Sequence, residues 1–299
     1  MQNQRAFIDL QAGPAALPRI RHIGVADLKD ALTRGLDDFW AMPSHAVFVT
    51  LIYPILGLFL TRLVLGYQVL PLLFPLLAGF ALIGPFAATG MYELSRLREE
   101  GAEPRWKDAF QVLHSPSFRS ILALGALLMG IFVCWMYAAE TIYLMTFGDM
   151  LPTSISAFVH DLFTTEAGWQ LIIIGNGVGF VFAVATLLVS AVSFPLLVDR
   201  NIGAAPAMAT SIRAVLANPL VMAVWGLIVA VALAAGAVLC LMGLAVVMPV
   251  LGHSTWHLYR KVVEPNSVVR RDFPRRPRPH RYAADFPAVL IPWARDKRP

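Results

Sequence analysis

The stretch Leu220–Leu251 runs 32 residues without a charge and is followed at once by His253, Trp256, His257, Tyr259, Arg260 and Lys261. A run of that length and composition belongs in a bilayer. As one helix it would extend about 48 Å against a hydrocarbon core of about 30 Å. With the apolar residues up to Tyr259 it has room for two short helices, Leu220–Ala235 and Val238–Leu258, with Gly236 as the natural break. A single tilted helix would instead leave the Arg-rich C-terminal tail on the opposite side from the other basic segments.

Only 14% of the 299 residues are charged, against about 25% in an ordinary soluble domain. The deficit is concentrated in a few long segments, which argues for membrane spans over a large soluble core. The two cysteines, Cys134 and Cys240, lie inside apolar runs and have no metal-ligand spacing. Residues 1–40 lack the apolar core of a signal peptide.

The chain therefore reads as an all-α integral membrane protein. Six transmembrane helices are expected near 46–65, 70–94, 118–147, 169–198, 220–235 and 238–258, forming a membrane domain over 23–261. Residues 1–22 make a disordered leader, and residues 262–299 an Arg/Pro-rich tail that cannot build a core. Three short amphipathic helices precede the hairpins. Their expected apolar stripes are Val25, Leu28, Leu32, Leu36 and Phe39; Trp106, Ala109, Phe110 and Leu113; and Met208, Ile212, Val215 and Leu216. Each stops at a proline, Pro43, Pro116 or Pro219, that opens the next span, and each return helix has its own proline, Pro85, Pro195 or Pro249. This suggests three copies of one unit, a surface helix followed by a hairpin. A further surface-lying helix is expected within 148–169, with Ile155, Phe158, Val159, Leu162 and Phe163 on one face.

Of the 24 Lys and Arg residues, only Arg62 falls on the side opposite the rest. The positive-inside rule then places both termini in the cytoplasm and the protein in a bacterial inner membrane.

The segments Gly24–Leu28, Gly35–Phe39, Gly84–Ala87, Tyr92–Arg96, Asn218–Leu220 and Met248–Tyr259 carry a resemblance. Together they resemble the DUF2189 family of uncharacterised bacterial integral membrane proteins, over about residues 20–265, with Pro249–Tyr259 the most specific part. The resemblance implies a multi-helix inner-membrane protein and carries no activity or cofactor with it.

Three groups of residues are candidate sites. His253 and His257, four apart on one helix face, share a depth with His45 and Glu93. Such a set suits interfacial capping, a proton path, or a metal or haem. Glu140 and Asn176 overlap in depth near the far leaflet and suggest a small hydrogen-bonded pocket. Arg270, Arg271, Arg275, Arg276, Arg278 and Arg281 in the tail suit anionic lipid or an acidic partner. No P-loop, dinucleotide fingerprint or HExxH is present. The expected function is a non-enzymatic inner-membrane scaffold or assembly protein. Its partners are the bilayer and another membrane complex, with no specific nucleic acid and no cofactor. A small transporter or channel is the alternative, and a haem or metal-binding membrane protein a third reading.

Overall fold

A computed structural model of the chain describes residues 17–42, 57, 73–149, 154–238 and 243–265. The expected first membrane helix, His45 and the six tail arginines lie outside these residues. In order, the helices are α1 Val25–Ala41, α2 Leu73–Ala87, α3 Thr89–Glu99, a 3-10 helix Trp106–His114, α4 Phe118–Phe147, α5 Ile155–Thr164, α6 Glu166–Ser190, α7 Ser193–Asp199, α8 Ala204–Ala217, α9 Pro219–Val238 and α10 Leu244–Val262. Among the described residues the only β-type pairing is one antiparallel bridge, Ile20 with Val263. Arg21 N donates to Val262 O at 2.8 Å and Glu264 N to Arg19 O at 3.1 Å. The end of the expected leader is thus tied to the end of the membrane domain.

Among the described residues, four helical stretches are long and apolar enough to cross a membrane: Phe74–Glu99, Phe118–Phe147, Glu166–Asp199 and Pro219–Ala237. They turn large apolar side chains outward, including Tyr137, Met145, Ile173, Phe180, Leu220 and Leu227. In water this surface would be prohibitive; in lipid it is the expected exterior. Trp135 on α4 donates its indole N–H to the Pro75 carbonyl of α2 at 2.8 Å, which joins two of the spans. α5 folds back on the far end of α4, where Phe158 packs against Tyr143 and Phe147.

Several boundaries differ from the sequence expectation. The second membrane helix runs to Glu99, broken only at Ala88, because Arg96 pairs with Glu93 and Glu100 one helical turn away on either side. The fourth is divided at Ala191–Val192 into α6 and α7. α9 continues through Gly236 to Val238. Gly236 is a contact, not a break: a Cβ on Gly243 would lie 2.8 Å from its Cα, so the absent side chains let α9 and the start of α10 touch. Among the described residues α10 is not one of the four spans, since its second half from His253 onward is polar.

The three surface elements are rotated about their axes relative to expectation. α1 buries Leu28, Ala31, Gly35, Asp38 and Phe39, and leaves Val25 and Leu36 outside. The 3-10 helix buries Ala109 and Val112 and exposes Phe110 and Leu113, because three residues per turn align positions three apart where an α-helix would not. α8 buries Ala207, Thr210, Ser211, Ala214 and Val215 and exposes Leu216. Small residues at several buried positions let these helices pack closely on the protein, while Trp40, Phe110, Leu113 and Leu216 face away from it. A core-facing stripe is the rule for a soluble helix and fails at a lipid boundary.

Asn218 sits between α8 and α9 and is buried. Its Oδ1 accepts from Ile23 N at 2.9 Å, and its Nδ2 donates to Arg21 O and Ala214 O, each at 3.1 Å. Asn218→Ala leaves two of these backbone groups, at Arg21 and Ile23, without a protein partner, and is expected to cost about 1.5 kcal/mol. Thermal melting in detergent measures it, and faster proteolysis near Arg21 should accompany it.

Candidate functional site

The C-terminal ends of three return helices meet at one end of the bundle: α3, α7 and the second half of α10, with α1 laid across α10. We call this the polar end. Each of the three return stretches carries an arginine at or near its end, Arg96, Arg200 or Arg260, and each arginine meets a carboxylate there.

One half of the polar end centres on Asp38 of α1. α1 reaches α10 closely because residue 35 is glycine; a Cβ there would fall 2.0 Å from Ser254 Oγ and 2.7 Å from Ser254 Cα. Ser95 Oγ donates to Asp38 Oδ2 at 2.6 Å, and His257 Nε2 donates to the same oxygen at 2.9 Å. Arg98 donates to Asp38 Oδ1. His253 Nδ1 lies 2.7 Å from Ser95 Oγ. Since the one hydroxyl proton of Ser95 goes to Asp38, the His253 Nδ1 must carry the hydrogen of that bond, which leaves Nε2 as the bare nitrogen of a neutral ring. That Nε2 is buried with no hydrogen-bond partner among the described residues, as is Ser254 Oγ. Burial pushes the Asp38 carboxyl up, but the hydrogen bonds from His257 and Ser95 outweigh it and hold the group below the ordinary carboxylate value.

The other half is an ion-pair network. Arg96 grips Glu93 with Nε at 2.9 Å and Nη2 at 2.6 Å and reaches Glu100 at 3.0 Å. Arg260 holds Glu99 Oε1 through Nη2 at 2.8 Å and Nε at 3.1 Å, and Trp256 Nε1 donates to Glu99 Oε2 at 3.0 Å. Tyr259 OH donates to Asp199 Oδ2 at 2.6 Å. Arg200, fully buried, donates to the carbonyls of Glu264 at 2.9 Å and Pro265 at 3.2 Å. These bonds tie α3, α7 and α10 to one another. The exposed pair Lys261–Asp30, at 2.9 Å, adds a solvated rim contact of about 0–1 kcal/mol.

The expected site residues are thus partly brought together. His253 and His257 share one network, but its carboxylate is Asp38; Glu93 is engaged by Arg96 in the other half. Glu140 and Asn176 form no pair. Both are exposed, Asn176 Nδ2 donates to Ile172 O of its own helix at 2.7 Å, and Glu140 has no polar partner among the described residues. The backbone carbonyl one turn back satisfies the amide without a second helix. Among the described residues no three His, Cys, Asp or Glu side chains gather as a metal-ligand set.

Sequence reasoning missed Asp38, Ser95, Arg98, Asp199 and Arg200. For Asp38 the signal was present: it stands in register with Leu28, Ala31 and Gly35 at helical spacing, on the buried side of α1.

Comparison with known proteins follows the same outline. Residues 73–199 match the DUF2189 family, described as a predicted integral membrane protein. The match runs from α2 through α7 and takes in Gly84–Ala87 and Tyr92–Arg96. The other segments that carried the resemblance, around Gly35, Asn218 and Pro249–Tyr259, lie outside the matched residues. The DUF2189 region therefore supplies Ser95, Arg98 and Asp199 to the polar end, while Asp38, His253 and His257 come from the flanking chain. No curated protein and no solved structure matches the chain.

Proposed function

We propose that this integral membrane protein is a non-enzymatic scaffold or assembly protein of the bacterial inner membrane, with six crossings and its polar end in the cytoplasm. The observation that carries the reading is how the polar groups are used. At the polar end Asp38, Glu99 and Asp199 bind an arginine, a histidine or a tyrosine of neighbouring helices, which suits a rigid platform. Among the described residues, a shallow groove between Ala126–Cys134 of α4 and Val181–Ala185 of α6 is lined by apolar side chains. A carrier needs polar groups facing a wetted route through the bilayer. Glu140 and Asn176, the expected members of such a route, stand apart on outer faces. The Lys and Arg distribution supports the cytoplasmic orientation.

Two measurements test the reading together. Cross-linking in intact membranes, followed by purification in mild detergent, is expected to yield a membrane partner in fixed ratio to the chain. Vesicles containing the purified protein and a pH-sensitive dye are expected to leak protons no faster than empty vesicles under an imposed potential. A dose-dependent flux above that of empty vesicles would overturn the scaffold in favour of a transporter.

A further inference from the structure

The three surface elements show one exposure pattern when placed by the proline that follows each, Pro43, Pro116 or Pro219. The residue four before the proline is buried in every case: Phe39, Val112 and Val215. The next residue is large, apolar and outside in every case: Trp40 at 67% exposure, Leu113 at 52% and Leu216 at 66%. Solvent would not favour this position three times. Its setting explains it, because Pro116 and Pro219 lead directly into the membrane spans that begin at Phe118 and Pro219. The exposed residue therefore sits at the level where a lipid-facing surface begins.

Charge singles out the kind of lipid. Most acids at this end are already engaged: Asp30 by Arg34 and Lys261, Asp38 by Arg98, Glu93 and Glu100 by Arg96, and Glu99 by Arg260, while Asp37 and Glu103 are exposed without an ion pair among the described residues. Lys107, Arg119 and Arg213 are exposed and have no carboxylate partner among the described residues. They flank Leu113 and Leu216; on α1 the exposed Asp37 lies one turn before Trp40. Lys107 shares the outer row of the 3-10 helix with Phe110 and Leu113, Arg119 stands in the first turn of α4, and Arg213 lies one turn before Leu216 on α8.

We propose that Trp40, Leu113 and Leu216 are anchors seated at the acyl boundary of one leaflet, and that Lys107, Arg119 and Arg213 bind the anionic headgroups of that leaflet. The pattern matches how amphipathic surface helices hold a membrane: an apolar insertion with cations at headgroup height. It is separate from the scaffold reading and from the tail arginines.

The test uses the full chain with Cys134 and Cys240 replaced by serine, in nanodiscs of phosphatidylcholine and phosphatidylglycerol at about 3:1, a mixture with a negative surface potential. Spin labels are attached through Trp40→Cys, Leu113→Cys or Leu216→Cys, with Glu103→Cys as the aqueous reference. The three anchor labels are expected to favour collision with oxygen over a water-soluble nickel complex several-fold more than the reference does. The triple variant Lys107→Gln, Arg119→Gln, Arg213→Gln should lose preference for spin-labelled phosphatidylglycerol over phosphatidylcholine by about fivefold for each charge that meets a headgroup. Its elution as a single species shows that these exposed changes leave the fold intact. Anchor labels as water-accessible as the reference would overturn the proposal and assign the surface to a protein partner. Undiminished phosphatidylglycerol preference in the triple variant would overturn it equally.

Discussion

Asp38→Ala is expected to lower stability by about 3 kcal/mol, the low end for breaking a buried ionic network from one side. The low end applies because the Arg98 side chain is 37% exposed and water can take up part of its charge. His257, Ser95 and His253 have no such relief: all are largely or fully buried and their hydrogen bonds end on this carboxylate or on its serine. Asp38→Asn should be nearly as damaging, because the amide nitrogen presents hydrogens to groups that already donate. Melting in detergent checks both, and α1 should become the first site of proteolysis. The pH dependence follows from the same group. The Asp38 carboxyl is held below its ordinary 3.8 in the folded chain. Its contribution is therefore complete above 3.8 and is lost as pH falls through the lower folded value. The wild-type melting temperature should drop on that acidification, and the Asp38→Ala variant should lack this part of the drop. Equal slopes for the two proteins, or equal melting at neutral pH, would remove Asp38 from the centre of the network.

Gly35→Ala is the second large effect. The added Cβ would lie 2.0 Å from Ser254 Oγ, but also 2.6 Å from Ser254 N and 2.7 Å from its Cα. The hydroxyl can swing away; the backbone of a buried helix cannot. Overpacking of this kind costs about 3 kcal/mol. Better helix propensity returns about 1 kcal/mol, so a net loss of about 2 kcal/mol is expected. The decisive comparison is the double variant with Ser254→Gly. It removes the oxygen and leaves the backbone contacts, so it should fail to restore melting. Restoration by Ser254→Gly, or a Gly35→Ala protein that melts like wild type, would show that α1 and α10 are not in backbone contact. Both substitutions act on the docking of α1, so loss of the expected partner in either would place the partner's surface at the polar end.

The sequence by itself determined where a bilayer is needed. Uncharged runs, interrupting prolines and the clustering of Lys and Arg between those runs are one-dimensional properties, and Phe118–Phe147 emerges with the boundaries that its composition implies. The positions of α1, α8 and the short helix before α4 were likewise legible, because each ends at a proline. Which face of each surface helix turns inward was decided only in three dimensions. The hydrophobic effect cannot tell core from acyl chain, so Leu36, Leu113 and Leu216 read as parts of the apolar stripes when they stand outside, and close packing by Gly35, Ala31 and Ala214 went unseen. The polar end depended on tertiary structure most of all. Asp38, Ser95 and His253 are 57 and 158 residues apart along the chain in successive hydrogen bonds, and no local pattern selects Asp38 over Glu93 as the carboxylate that the histidines meet. That choice was made by a helix without a side chain at residue 35, which alone lets α1 come close enough to α10 for its aspartate to be buried.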